Sequence, residues 1–236
     1  MGMGCCKENI KEFSEMGYKE QEETVKKMEK KDENIPIYIS ETSYDNCNWD
    51  NIINNIPCEK ENIEKRLAIF TKFNFYSDNP YISFKRLKHG FIEYHDLPDL
   101  IIKKDPDPIY LAFKATISKF YREFNFDILE SKCFRPFLFY LKQYFTYLNM
   151  FKEQAKSEKR LISFEEFKKA IPIMKKFGVK IEENNAESRF NKIDINKEKK
   201  ISFDDFCINI IQDSFDNLDK NERDDIEDLK NIKSQK

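Results

Sequence analysis

The chain has 236 residues, enough for one compact domain or two small ones. Its 41 basic and 43 acidic residues leave a net charge of −2, so no overall field steers it onto nucleic acid. Five glycines, two of them among the first four residues, exclude a glycine-rich phosphate-cradling loop, and no apolar run approaches the ~20 residues of a membrane span.

Taken in chain order, Met1-Gly2-Met3-Gly4-Cys5-Cys6 comes first. Gly2 stands where N-myristoylation requires it, and Cys5 and Cys6 are placed for palmitoylation, although Cys6 replaces the Ser or Thr expected at that position. Two lipid signals are what stable anchoring needs. Residues 7–31 carry seven Lys and seven Glu and read as a solvated, weakly amphipathic helix. Pro36, Pro57 and the Asn, Ser and Asp between them read as a linker with one short helix at Trp49–Ile53.

From Glu59 the pattern becomes helical. Ile63, Leu67 and Phe70 fall on one face, and after the polar break 74–81 a second helix starts near Ser83 with Phe84, Leu87 and Phe91. Asp105-Pro106-Asp107-Pro108 is a breaker and helix start. Phe113, Ile117, Phe120, Tyr121 and Phe124 form the next stripe. A wide apolar arc follows at Phe134, Phe137, Leu138, Leu141, Tyr144, Phe145 and Leu148, the mark of a buried helix. Helix–loop–helix units at 150–177 and 184–213 complete the body, and the tail from Asp213 holds eight acids against five bases. The reading is all-α, with short strand pairings only where two loops meet. It divides the chain into an acylatable N-terminal segment with a charged helix (1–33), a linker (34–57), an N-terminal pair of units (58–148), a C-terminal pair (149–213) and an acidic tail (214–236).

Two segments repeat one pattern. Met150–Phe167 and Phe190–Phe206 both end in hydrophobic–Ser–Phe–acid–acid–Phe. This is the pattern of an EF-hand, whose loop offers calcium oxygens at positions 1, 3, 5, 7 through a backbone carbonyl, 9 and 12, with Gly at 6 for the sharp turn. In the later copy Asp194 is position 1, Asn196 is 3, Glu198 is 5, Lys200 is 7, Ser202 is 9 and Asp205 is 12. Lys199 stands where Gly is expected, Asp205 is shorter than Glu, and Lys197, Lys199 and Lys200 oppose three carboxylates. This is a weak calcium loop at most. In the earlier copy Ala155, Ser157 and Lys159 take positions 1, 3 and 5, and an alanine and an ammonium cannot hold a cation. Residues 74–86 are a third remnant: Asn74 at position 1 puts Ile82 at 9, one residue late, and Arg86 where the acid belongs. Residues 125–133 have no acceptable ligand series.

The remaining chemistry is sparse. Cys47, Cys58, Cys133 and Cys207 form no C-x-x-C, no secretory segment precedes them, and they read as reduced thiols of an intracellular protein. His89 and His95, six apart, share no helix face and read as packing or surface residues. No Ser or Cys nucleophile has a base at a recognisable spacing, so the chain is expected to be no enzyme and to have no small-molecule substrate.

With these residues laid out, the chain resembles the calflagins, the flagellar calcium-binding proteins of protists, from about Ile63 to Phe206. The segments that carry the resemblance are F-L-F-Y-L-K-Q-Y-F-T-Y-L-N-M-F (137–151), E-E-F-K-K-A-I-P (165–172), F-G-V-K-I (177–181) and I-S-F-D-D-F (201–206). The resemblance implies four EF-hand units in two lobes, calcium carried mainly by the C-terminal pair, a dual-acylated terminus, and a place at the flagellar or ciliary membrane. Ala155, Lys159 and Lys199 depart from the family pattern. Two functions follow: a lipid-anchored calcium-responsive protein with one weak site, or a structural protein of the cilium or axoneme whose helix pairs bind partner helices without calcium.

Overall fold

The computed structural model describes residues 18–32, 48–74, 80–95, 107–120, 127–154 and 161–215. Helix α1 spans Tyr18–Asp32 and α2 spans Trp49–Asn55, so the short helix expected at Trp49–Ile53 is present and slightly longer. Asn48 starts α2 by accepting the N–H of Asn51 at 3.0 Å. Helices α3 (Ile63–Phe73), α4 (Phe84–His95), α5 (Pro108–Phe120) and α6 (Phe134–Gln154) follow, then α7 (Phe164–Lys176), α8 (Ala186–Ile193) and α9 (Phe203–Phe215). The chain is mostly helical, as its composition and periodicity indicated.

Among the described residues, four three-residue strands punctuate the helices. Strand β1 (Tyr81–Ser83) pairs antiparallel with β2 (Ile128–Glu130), and β3 (Leu161–Ser163) with β4 (Lys200–Ser202). The central partners are Ile82 opposite Leu129 and Ile162 opposite Ile201. Each strand joins an entering helix to a leaving one, giving α3–β1–α4, α5–β2–α6, α6–β3–α7 and α8–β4–α9. The 21-residue α6 leaves the second unit and enters the third without a break, and the expected boundary between 148 and 149 falls inside it.

Local chemistry explains where the helices begin and end. Pro108 opens α5, where its missing N–H costs nothing, and the buried Asp107 before it accepts the N–H of Ile109 at 2.8 Å. The same carboxylate takes the Lys88 ammonium of α4 at 2.6 Å, which ties the two helices together. Helix α7 starts with a capping box on Ser163 and Glu166. It ends in paired bonds, Gly178 N–H to Lys175 and Val179 N–H to Met174, and Gly178 supplies the left-handed turn at φ 78°.

Most of the buried apolar side chains make one connected cluster from Trp49 to Ile210. Its spine is aromatic. Phe70 meets Phe134 at 5.2 Å, Phe91 meets Phe137 at 5.5 Å, and Trp49 meets Phe145 at 5.8 Å; farther on, Tyr147 and Phe151 meet Phe206 at 5.0 and 5.1 Å. All seven residues of the predicted arc on α6 are buried. On α3 the inward face is rotated from the expected one: Arg66, Ile69, Phe70 and Phe73 are buried, while Ile63 and Leu67 are half-buried. Arg66 belongs inside because its guanidinium serves the carbonyls of Pro57 (3.2 Å), Glu59 and Lys60 (3.4 Å) in the turn before α3.

Candidate metal centre

The fourth unit holds the best set of oxygens. Helix α8 delivers Asp194 directly after its last turn, with the Asp194 N–H still bonded to the Phe190 carbonyl at 2.9 Å. Asp194 is buried, and the loop winds back over its carboxylate. Oδ1 accepts the N–H of Glu198 at 3.1 Å and Oδ2 that of Lys199 at 2.8 Å. This curl requires left-handed backbone at two side-chain-bearing residues, Lys197 (φ 57°) and Lys199 (φ 58°). Such conformations cost roughly 1–2 kcal/mol each for non-glycine residues. Lys199 therefore makes the turn for which glycine is suited, at the position where the sequence lacked it.

At the far end of the loop, Ile201 is buried in β4, and Ser202, the last residue of that strand, immediately precedes α9. The Ser202 hydroxyl accepts the N–H of Asp205 at 3.1 Å and donates to Asp205 Oδ2 at 2.6 Å. Asn196, Glu198 and Lys200 are exposed. The six predicted residues fall on one loop, with Asp194 buried at its base. Among the described residues, however, no three Asp, Glu, His or Cys side chains converge as a tight metal site would require. Asp194 and Asp205 already have protein donors, and three exposed lysines border the loop. The donor set fits a hard cation in type, and its present hydrogen bonds and neighbouring charges compete with one.

The other loops offer less. Ala155, Ser157 and Lys159 lie outside the described residues. The exit acid of that unit, Glu166, is turned onto its own helix cap, where Oε2 accepts the N–H and hydroxyl of Ser163 at 2.7 and 2.9 Å. In the first unit Asn74 has the same station as Asp194, its N–H bonded to the Phe70 carbonyl at 2.9 Å. The central strand residue comes eight positions later, against seven from Asp194 to Ile201, so the inserted residue read in the sequence is present. Arg86 occupies the exit position, buried and paired with Asp32. In the second unit that position is Cys133, also buried, which provides no oxygen.

Cys58, Cys133 and Cys207 are buried thiols with no disulfide. His89 lies 3.8 Å from Glu93 on its own helix. The His95 side chain, Gly2, Cys5, Cys6 and Cys47 lie outside the described residues. Sequence reading missed Asp32, which falls just beyond the stretch 7–31 read as a solvated helix; the basic pair Lys85-Arg86 at a loop exit was the available signal.

No family model matches the chain. Curated proteins do. A flagellar calcium-binding protein of Trypanosoma cruzi is 29% identical over 164 residues, covering 67% of this chain and 76% of that protein. The flagellar calcium-binding protein TB-24 of Trypanosoma brucei brucei is 31% identical over 169 residues, covering 67% and 73%. TB-17 of the same organism is 30% identical over 169 residues, covering 67% and 68%. At this degree of identity and coverage the chain belongs to the family of flagellar calcium-binding proteins, the calflagins.

Proposed function

We propose that this chain is a non-enzymatic calcium-binding protein of the flagellum or cilium. Its helix–strand–helix units are two pairs of EF-hands that share α6, and calcium binds weakly in the loop Asp194–Asp205. The observation that carries this reading is the buried Asp194 carboxylate at the base of a loop of the right length, with Asn196, Glu198, the Lys200 carbonyl, Ser202 and Asp205 following in ligand order. Affinity is low for three physical reasons: strained backbone at Lys199, lysines around the loop, and an Asp205 already bonded to Ser202. The weakest calcium sites of this kind fall at about 0.1–1 mM. Calorimetric titration tests this: the wild type should give binding heat in that range, and an Asp194→Ala, Asp205→Ala variant should give none. Absence of heat from the wild type at millimolar calcium would sink the proposal.

Membrane association is assigned to acylation at Gly2, Cys5 and Cys6, on the sequence alone. A Gly2→Ala variant should move from the membrane fraction to the soluble one, and an unchanged distribution would remove lipidation from the account.

A second reading, a ciliary or axonemal scaffold that binds partner helices without calcium, is favoured by one observation. The exit position of the first unit carries Arg86, paired with Asp32, in place of the acid that a calcium loop needs there. Retention in the axonemal fraction after calcium chelation supports this reading; release on chelation opposes it.

A further inference from the structure

Three segments of the chain share one plan. Ile82–Leu87 (I-S-F-K-R-L), Ile162–Phe167 (I-S-F-E-E-F) and Ile201–Phe206 (I-S-F-D-D-F) each run from the centre of a strand into the first turn of a helix. In each, the Ser hydroxyl accepts the N–H three residues on: 3.2 Å from Arg86, 3.4 Å from Glu166, 3.1 Å from Asp205. The backbone is repeated and the charge is not. Where two copies present an acid pair, the first presents Lys85-Arg86.

The reversed charge has an occupant. Asp32, the last residue of α1, is 3% exposed, as is Arg86. Its carboxylate accepts from the Arg86 Nε and from the Ser83 hydroxyl, and its backbone carbonyl accepts from the Lys85 ammonium at 2.5 Å. A buried charge is tolerated only where a partner and further hydrogen bonds compensate its lost hydration, and both are present here. Among the α1 side chains that are described, Met28 is the other buried one; the rest are exposed or half-buried. Asp32 is therefore one of the two buried anchor points among the described side chains of α1.

We propose that the exit of the first loop is a carboxylate-binding site, that its occupant is Asp32, and that this clasp docks α1 onto the α3–α4 unit without any metal ion. The guanidinium is a built-in cation. The acid that the exit position lacks comes from a helix more than fifty residues earlier. Docking of α1 is then independent of whether the fourth loop binds calcium.

Hydrogen exchange of the α1 amides in the full chain, with excess calcium and with chelator, is the test. Protection of α1 should be equal in the two conditions. It should fall by about tenfold or more in Asp32→Asn and in Arg86→Ala, and the double variant should show little further loss, because both changes break one interaction. Amides of α3 should keep their protection in Asp32→Asn. Wild-type exchange rates in Asp32→Asn would overturn the proposal, as would α1 protection that appears only with calcium, or losses that simply add. Should Arg86→Ala fail to fold, Asp32→Asn decides alone, since it keeps the side-chain shape and alters only the end of α1.

Discussion

Asp194 accepts the backbone N–H of Lys199 at 2.8 Å, and Lys199 presents that N–H from left-handed backbone at φ 58°. Glycine adopts this conformation without penalty, though it also gains freedom in the unfolded chain. Lys199→Gly should therefore stabilise the protein by a net of about 0.5–1 kcal/mol, read as a higher urea midpoint. It also removes a positive charge beside the loop, so the calorimetric calcium affinity should rise. A lower midpoint would show that the lysine side chain contributes more than its backbone strain costs.

Gly90 sits where α4 crosses α3. A Cβ there would lie 2.5 Å from the ring of Phe73, which packs edge-on against Phe91 at 4.9 Å. In an open helix Gly→Ala is worth roughly 1 kcal/mol in favour of folding. Here overpacking reverses the sign, and Gly90→Ala should destabilise by about 1–3 kcal/mol in chemical denaturation.

Phe206 is fully buried and meets Tyr147, Phe151 and Phe167 at 5.0, 5.1 and 6.1 Å. Its truncation leaves a cavity between α6, α7 and α9. Phe206→Ala should cost about 3–5 kcal/mol and Phe206→Leu clearly less, measured as the shift in unfolding free energy.

Burial pushes the Cys58 thiol up to about 11, with the nearby Lys142 ammonium pulling it part of the way back. The folded state keeps this proton at alkaline pH where the unfolded chain has lost it. The resulting stabilisation is complete below about pH 9 and is lost as pH rises toward 11, up to about 3 kcal/mol. Burial raises the Tyr147 phenol in the same direction. Unfolding free energies measured across this window should decline, and Cys58→Ala should flatten the decline.

Much of the architecture could be read from residue order. The arc on α6 was legible because seven large apolar residues repeat at helical spacing with no competing pattern. The turn that follows Asp194 was legible because its oxygen-bearing residues are contiguous. The inward turn of Arg66 was not: its reason is three carbonyls in a preceding turn, a tertiary fact without a periodic signal. Asp32 was hidden for a similar cause. Its partner lies more than fifty residues away, and within its own helix it is one more charge among many.

Helix α6 meets Phe70, Phe91 and Trp49 through Phe134, Phe137 and Phe145, and meets Phe177 and Phe206 through Phe139 and Tyr147. These two sets of contacts interleave along the same few turns. Cutting the chain between them would leave one half without its aromatic floor. Fragments meant to carry either end of the molecule must overlap, each keeping residues 134–154. A gene fusion, proteolytic nick or inserted tag within that stretch would disable both ends together.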